Sequence, residues 1–553
     1  MAFQLSPGVN ISEVDLTTVV PSVATTVGGI AGNFAWGPVE EITIINNEIQ
    51  LADKFGKPDA NTYETYFSAA NFLAYGSDLR VVRVVGTGAL NAVSSGSARL
   101  IKNRDDYEQN YSSNSAIAFT AKYAGSLGNS IRVSMADANT YATWSYASNF
   151  DSTPATSTFA RDASSSNDEV HIVVTDATGV ISGTVGTILE KFGYLSKASD
   201  AKNPDGSSNY YKDVINARSK YLWSTGHLAA NWGSAATAGI VYTVMAANTT
   251  VTLSGGYVAA VTGANINTGF DLFANPDSVD VSLLISGATD SATVPNYLIS
   301  IAETRKDCLV FISPSKASVV DNYGSEATSV ATNAGTFTKS SYAVMDSGWK
   351  YQYDKYNDVY RWIPLNGDIA GLCVRTDVER DPWFSPAGLQ RGVIKNVIKL
   401  SWNPTKADRD TIYKAGVNPV VTFPGEGTIL YGDKTLLNRP SAFDRINVRR
   451  LFIILEKSIA KAARTSMFEF NDEFTRAAFV NLVEPYLRDV QGRRGIYDFR
   501  VICDNTNNTS EVIDQNQFIG DIYIKPARSI NFIQLNFVAV RTGVSFEEVV
   551  GRV

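Results

Sequence analysis

Histidine and cysteine are scarce in this chain, with 2 and 3 residues respectively among 553. Cys308, Cys373 and Cys503 are too few and too scattered for a disulfide framework or a zinc site, which points to synthesis in a reducing compartment. His171 and His227 stand far apart, and His171 falls in the strand-like run 169–174, so a structural role is expected for each. Long apolar runs are missing too: none approaches the roughly 20 residues that a bilayer-crossing helix needs. Residues 1–8 offer neither a basic stretch nor an apolar core, so no secretion signal is expected. Positive charge is in deficit, with 48 Lys and Arg against 55 Asp and Glu, a net −7. That balance argues against a general nucleic-acid binder, although a local basic patch remains open. The glycines after Val27 are followed by no Lys-Ser/Thr pair and make no nucleotide loop. No paired nucleophile and base stands out, and Ser286, Gly287 and Ser313 lack catalytic partners.

What is present is the composition of a folded protein of several domains, 44% hydrophobic. The stretch 441–540 is the most legible. Val448, Leu451, Phe452, Leu455, Ile459, Ala462, Ala463, Met467 and Phe470 recur at intervals of three and four, one buried helix face. Arg449, Arg450, Lys457, Lys461 and Arg464 form a basic stripe, either a solvated face or a contact for an acidic partner. Asn471 can cap a second helix running from about Asp472 toward Arg488, with Pro485 expected to kink or end it. Beyond Gly495 the period becomes two: Tyr497, Phe499, Val501 and Cys503 share one side of a strand, and Phe518, Gly520, Ile522 and Ile524 one side of another. A last run, 530–540, alternates through Ile533, Leu535, Phe537 and Ala539.

Toward the start, Val9, Ile11, Glu13 and Val14 belong to a short strand with no local hairpin partner. It is either an edge of the chain's own sheet or a strand added to a neighbour's. Helices are expected at 49–55 and 63–75 and a strand at 79–85, an α/β arrangement. From Gly86 to about Leu253 serine, threonine and asparagine dominate, with short strands at 131–135, 170–175 and 241–245 and a helix at 211–223; this reads as an outward, variable domain. Strands at 279–285 and 308–312, with helix between, resemble half of a parallel sheet. The aromatic and charged run 351–362 reads as an extended, interface-packed segment in preference to a base-stacking surface.

Several short motifs occur in one order along the chain. They are Ser6-Pro7-Gly8-Val9 with Glu13, Phe34-Ala35-Trp36-Gly37-Pro38, Phe55-Gly56-Lys57-Pro58, Asp78-Leu79-Arg80-Val81-Val82-Arg83-Val84, Gly125-Ser126-Leu127-Gly128-Asn129, and Leu253-Ser254-Gly255-Gly256. Then come Pro364-Leu365-Asn366-Gly367-Asp368-Ile369-Ala370-Gly371, Arg375-Thr376-Asp377, Ser385-Pro386-Ala387-Gly388, Tyr431-Gly432-Asp433-Lys434-Thr435, Asn447-Val448-Arg449-Arg450-Leu451, Phe468-Glu469-Phe470-Asn471 and Lys525-Pro526-Ala527-Arg528-Ser529-Ile530. With them the chain resembles the contractile tail sheath proteins of myovirus-type bacteriophages and, more loosely, the sheaths of contractile injection systems. Phe470 departs from the proline that many sheaths carry there, and the segment before Gly125 is short where larger relatives have a further outer domain.

The resemblance implies a non-enzymatic, cofactor-free mechanical subunit of the virion tail, made in the host cytoplasm. It would assemble as stacked hexameric rings around a tail tube, meet baseplate and tail terminator proteins at the ends, bind no nucleic acid directly and insert into no membrane. The fold expected is α+β and multi-domain, with a mixed α/β core, a β-rich outer domain and extended terminal arms. The expected division is an N-terminal exchange arm at 1–20, core at 21–115 and 253–400, outer domain at 116–252, an inner tube-facing domain at 401–529, and an exchange strand and tail at 530–553. Strand exchange falls to Val9, Ile11, Glu13, Val14, Ile533, Leu535, Phe537 and Ala539; the receiving sheet to Phe499, Val501, Ile522 and Ile524; and tube contact to Lys457, Lys461, Arg464, Arg488, Arg493 and Arg494. Two rivals stand beside this reading: a β-rich adhesin, suggested by 86–254, and an α/β enzyme.

Overall fold

The computed structural model describes residues 23–112, 117–531 and Gln534. Contacts divide the chain into two compact units: a larger one of Val20–Pro382 and Pro386–Thr465, and a smaller one of Trp383–Ser385 with the chain from Ser466.

The larger unit is organised by short, mostly buried runs, which suit parallel strands covered on both faces; the edge strand Ile42–Ile45 alone is largely part-exposed. They form a seven-stranded sheet in the order Val417–Asn418, Ala343–Asp346, Leu309–Ile312, Leu283–Ile285, Gly28–Gly32, Leu79–Arg83 and Ile42–Ile45. All neighbours are parallel except the last pair, where Ile42 lies opposite Val82. Alternate residues serve two cores. Ile30, Val81, Ile285, Phe311 and Val344 face one, with the helices Tyr63–Leu73 and Asn366–Glu379. Ala31, Val82, Leu284, Val310 and Met345 face the other, with Gly263–Asp271, Thr293–Arg305 and Glu326–Gly335. Gly367 and Gly371 allow the two helices of the first core to approach closely: a Cβ at Gly367 would sit 2.2 Å from the Ser68 carbonyl oxygen, and one at Gly371 2.4 Å from the Tyr75 ring.

A β-rich body is inserted between Leu79–Arg83 and Leu283–Ile285. Its antiparallel sheet runs Ile188–Ser196, Glu169–Asp176, Ile131–Ala136, Thr249–Thr252. A core of its own, including Val133, Ile172, Tyr211, Leu222 and Trp232, lies under that sheet. Lys197 and Asp137 are both buried and paired at 3.0 Å, with Lys197 also donating to the Asn167 carbonyl. The run 241–245 is not the expected strand. It makes one isolated bridge, Ser166 to Val241, and sends Tyr242 inward while Val244 stays exposed. The helix there is shorter than expected, Tyr211–Arg218.

In the smaller unit the helix Glu473–Gly492 continues through Pro485. The carbonyl deprived of its donor belongs to Asn481, which is exposed and open to water, while Phe479, Val483, Leu487 and Val490 anchor the opposite face. The cap is Asp472, whose carboxylate accepts from the Thr475 amide at 2.8 Å; Asn471 instead donates to the Gln517 carbonyl.

Candidate functional site

The features that could support chemistry are spoken for inside the fold. At the carboxyl ends of the parallel strands, where doubly wound proteins bind ligands, Asn366 fills the crevice. Its side-chain amide donates to the Gly287 carbonyl at 2.7 Å and its backbone amide to Ser313 Oγ at 2.9 Å. Ser313 in turn donates to Asp346 at 2.6 Å. His171 is stacked on Phe150 with centroids 4.2 Å apart and takes the Tyr194 amide on Nδ1. His227 Nδ1 pairs with the Tyr211 hydroxyl at 2.7 Å. Burial pushes the Cys308 and Cys373 thiols up to about 12, so neither is a ready nucleophile. Among the described residues no group of three or more His, Cys, Asp or Glu could hold a metal ion.

The smaller unit also holds the hairpin Ile496–Ile502 with Asp521–Pro526, a two-stranded sheet. Phe499 lies opposite Ile524 and Val501 opposite Ile522, so the sequence pattern brings these four together. All four are half-buried. Tyr497 does not join them: an irregularity between Ile496 and Asp498 breaks the alternation and leaves Tyr497 66% exposed. Phe518 and Gly520 precede the strand. Phe518 packs edge-on against Phe479 at 5.4 Å, and Asn508 satisfies both backbone groups of Ile519. The Glu473–Gly492 helix supports the hairpin at its start, where the Gly495 amide donates to the Val490 carbonyl. Val9, Ile11, Glu13, Val14, Ile533, Leu535, Phe537 and Ala539 lie outside the described residues.

The basic stripe on the helix Ile446–Ala463 separates into two parts. Arg449 and Arg450 are not on a solvated face, since both are buried at 5% and 3% exposure. Arg450 is bonded to Asp377 at 2.6 Å, and the Arg449 guanidinium lies 4.0 Å from the Phe443 ring centroid. The helix is so deeply packed in its first turns that charge there must be answered from within. Farther along, Lys457 pairs with Asp280 and Arg464 with Asp277. In the smaller unit Arg488 pairs with Glu484 at 3.5 Å and Arg493 with Asp489 at 3.6 Å. Lys461 is exposed, and neither it nor Arg494 has an ion partner among the described residues. Arg494 stands in the left-handed region, φ 67°, just past the helix end. Met467 and Phe470, read as part of the buried helix face, fall beyond the helix and are 59% and 85% exposed.

Domain families match three stretches: the "Tail sheath protein Gp18 domain III N-terminal region" at 25–84, the "Phage tail sheath protein central domain" at 259–436 and the "Phage tail sheath C-terminal domain" at 438–539. The tail sheath protein of Enterobacteria phage T4 is 34% identical over 671 aligned positions, covering 99% of each chain. The chain belongs to the phage tail sheath family. Its counterpart in Vibrio phage KVP40 is equally similar, 34% over 670 positions, with 99% of this chain and 100% of that one covered. Both alignments are longer than the 553 residues here, so those relatives carry insertions that this sheath protein lacks.

Solved structures share the fold. The sheath tail protein of Desulfitobacterium hafniense has a TM-score of 0.54 at 12% identity, covering 94% of this chain and 100% of that one. That of Listeria innocua has 0.52 at 12% identity, covering 91% and 96%. This is therefore a contractile tail sheath protein, a structural and non-enzymatic component of the virion tail.

Proposed function

We propose that the subunit polymerises as stacked hexameric rings around a tail tube and joins its neighbours by exchanging terminal strands. The observation that carries this reading is the hairpin Ile496–Ile502 with Asp521–Pro526. Among the described residues each of its strands pairs only with the other, which leaves each with an outer edge that no further strand covers. Such edges are templates for further strands. Val9, Ile11, Glu13 and Val14 would supply one added strand, and Ile533, Leu535, Phe537 and Ala539 another. An arm of about 20 residues reaches at most roughly 66 Å when extended, enough to cross to an adjacent subunit.

In this reading the sheath assembles in a metastable extended form. Contraction draws on lateral burial, at roughly 25 cal/mol per Å2 of apolar surface summed over many subunits, and needs no nucleotide. The division into arm, core, outer and inner domains belongs to the same proposal, as do the tube, baseplate and terminator as partners. Lys461 and Arg494 are the tube-facing residues left with charge to offer. Lys457, Arg464, Arg488 and Arg493 would first have to exchange a carboxylate of their own chain.

Deleting residues 1–15 tests the scheme. The truncated chain should remain a folded monomer by circular dichroism and form no tubes in negative-stain micrographs, whereas the full chain forms them. Tubes of normal appearance from the truncated chain would overturn strand exchange.

A further inference from the structure

The hairpin Trp349–Asp354 with Val359–Pro364 is built inside out toward its turn, while Trp349 and Ile363 at its base are buried. On its inner side lie Lys350, Gln352 and Asp354, all buried; Lys350 pairs with Asp368 and Asp354 with Arg361. Its other side is aromatic, with Tyr351 opposite Trp362 and Tyr353 opposite Tyr360. These rings pack on one another at 4.7 to 5.6 Å between centroids. Tyr353 is nevertheless 43% exposed and Tyr360 53%. Lys399, from the third strand of the same sheet, lies 5.1 Å from the Tyr351 ring centroid. It is exposed and has no carboxylate partner among the described residues. A half-buried sheet normally hides its apolar side. The reversal here leaves Tyr353, Tyr360 and a cation in water beside the half-buried Tyr351 and Trp362, the composition of an interface core.

The opposite chemistry is displayed at residues 467–474. Phe468, Phe470 and Phe474 are 101%, 85% and 82% exposed, and Phe468 is held at φ 71°, which few side chains adopt. Among them stand Glu469, Asp472 and Glu473, and no basic residue. Glu469 has no ion partner among the described residues.

We propose that these surfaces meet between copies of the chain, the 467–474 segment of one subunit lying over the aromatic hairpin of a neighbour with Glu469 against Lys399. The contact rests on the reading that the subunit polymerises. It answers two costs with one interface: Phe468 and Phe470 leave water by covering Tyr353 and Tyr360, and each unpaired charge meets its opposite. It uses residues other than those of the terminal strands, so it adds to the strand exchange.

The test uses tubes of the full chain carrying a photoreactive benzoylphenylalanine at position 360. Irradiation should give intermolecular cross-links whose peptides contain Phe468. Lys399→Glu and Glu469→Lys should each raise the concentration needed for tube formation by roughly tenfold, the scale of a lost interface anchor. The double variant should return close to the wild-type value. Cross-links from intact tubes that stay within one chain or reach only other peptides overturn the contact, as does a double variant no better than either single one, and the sheath reading then stands without it. A wild-type chain that forms no tubes overturns both.

Discussion

Asp346 is a buried carboxyl with two hydrogen-bond donors, Ser313 and Gly348, and no cation among its bonded partners. Burial, and less strongly the charge on Asp368, push it up from 3.8 to about 8. A carboxyl whose pKa rises on folding stabilises the fold through its protonated form. That contribution is fully present below about pH 4 and is lost as pH climbs through about 8. The thermal midpoint of the wild-type subunit should therefore fall between about pH 6 and pH 9 by more than that of Asp346→Asn, which keeps a neutral group at the position. Parallel melting curves for the two proteins, monitored by circular dichroism across that range, make the comparison. Lys350 and Asp368 behave differently: burial pushes the Lys350 amine down and the Asp368 carboxyl up, and their contact at 2.9 Å opposes both shifts.

Helix packing offers a sharper test. Replacing Gly367 by alanine places a methyl group 2.2 Å from the Ser68 carbonyl oxygen, on backbone that cannot move alone. Overpacking of this kind costs about 1–3 kcal/mol or more. Gly367→Ala should lower the melting temperature of the subunit, while alanine at Gly335, with open space around its Cβ position, should not. The need for glycine at 367 was legible only as a motif; its reason is a contact with a helix some 300 residues earlier in sequence, which local pattern does not contain. Tyr63–Leu73 was legible because Tyr66, Phe67 and Ala70 face one core at helical spacing. Ile188–Ser196 escaped notice: its partners lie in Glu169–Asp176, its register shifts twice, and mostly half-exposed residues replace a clean alternation. At the terminal hairpin the grouping of Phe499, Val501, Ile522 and Ile524 followed from period two, whereas the place of Tyr497 did not, since the irregularity that turns it out has no sequence signal. The burial of Arg449 and Arg450 had no local signal either, because Asp377, which pairs with Arg450, comes from another helix and Tyr342, which meets Arg449, lies about a hundred residues earlier.

For the whole molecule, the proposed grip on the tube rests on little free charge. Exposed ion pairs contribute about 0–1 kcal/mol each. Lys461→Ala with Arg494→Ala should therefore weaken co-sedimentation of sheath with tube by severalfold at low salt and hardly at all at high salt, where such contacts are already screened. A larger loss that survives high salt would place the grip elsewhere. The larger unit has a firmer connection of its own. Arg83, at the end of Leu79–Arg83, donates to the carbonyls of Phe34, Gly37 and Ala124 at 2.7 to 2.9 Å, and burial pushes it down to about 9, still a cation at neutral pH. Of the three carbonyls, Phe34 and Gly37 belong to the segment after Gly28–Gly32 and Ala124 to the β-rich body, so pulling the body off the parallel sheet would take one oxygen from a buried cation. The side chain thus acts as a rivet between two bodies of one unit, and torque applied to the β-rich body would pass through it to the central sheet.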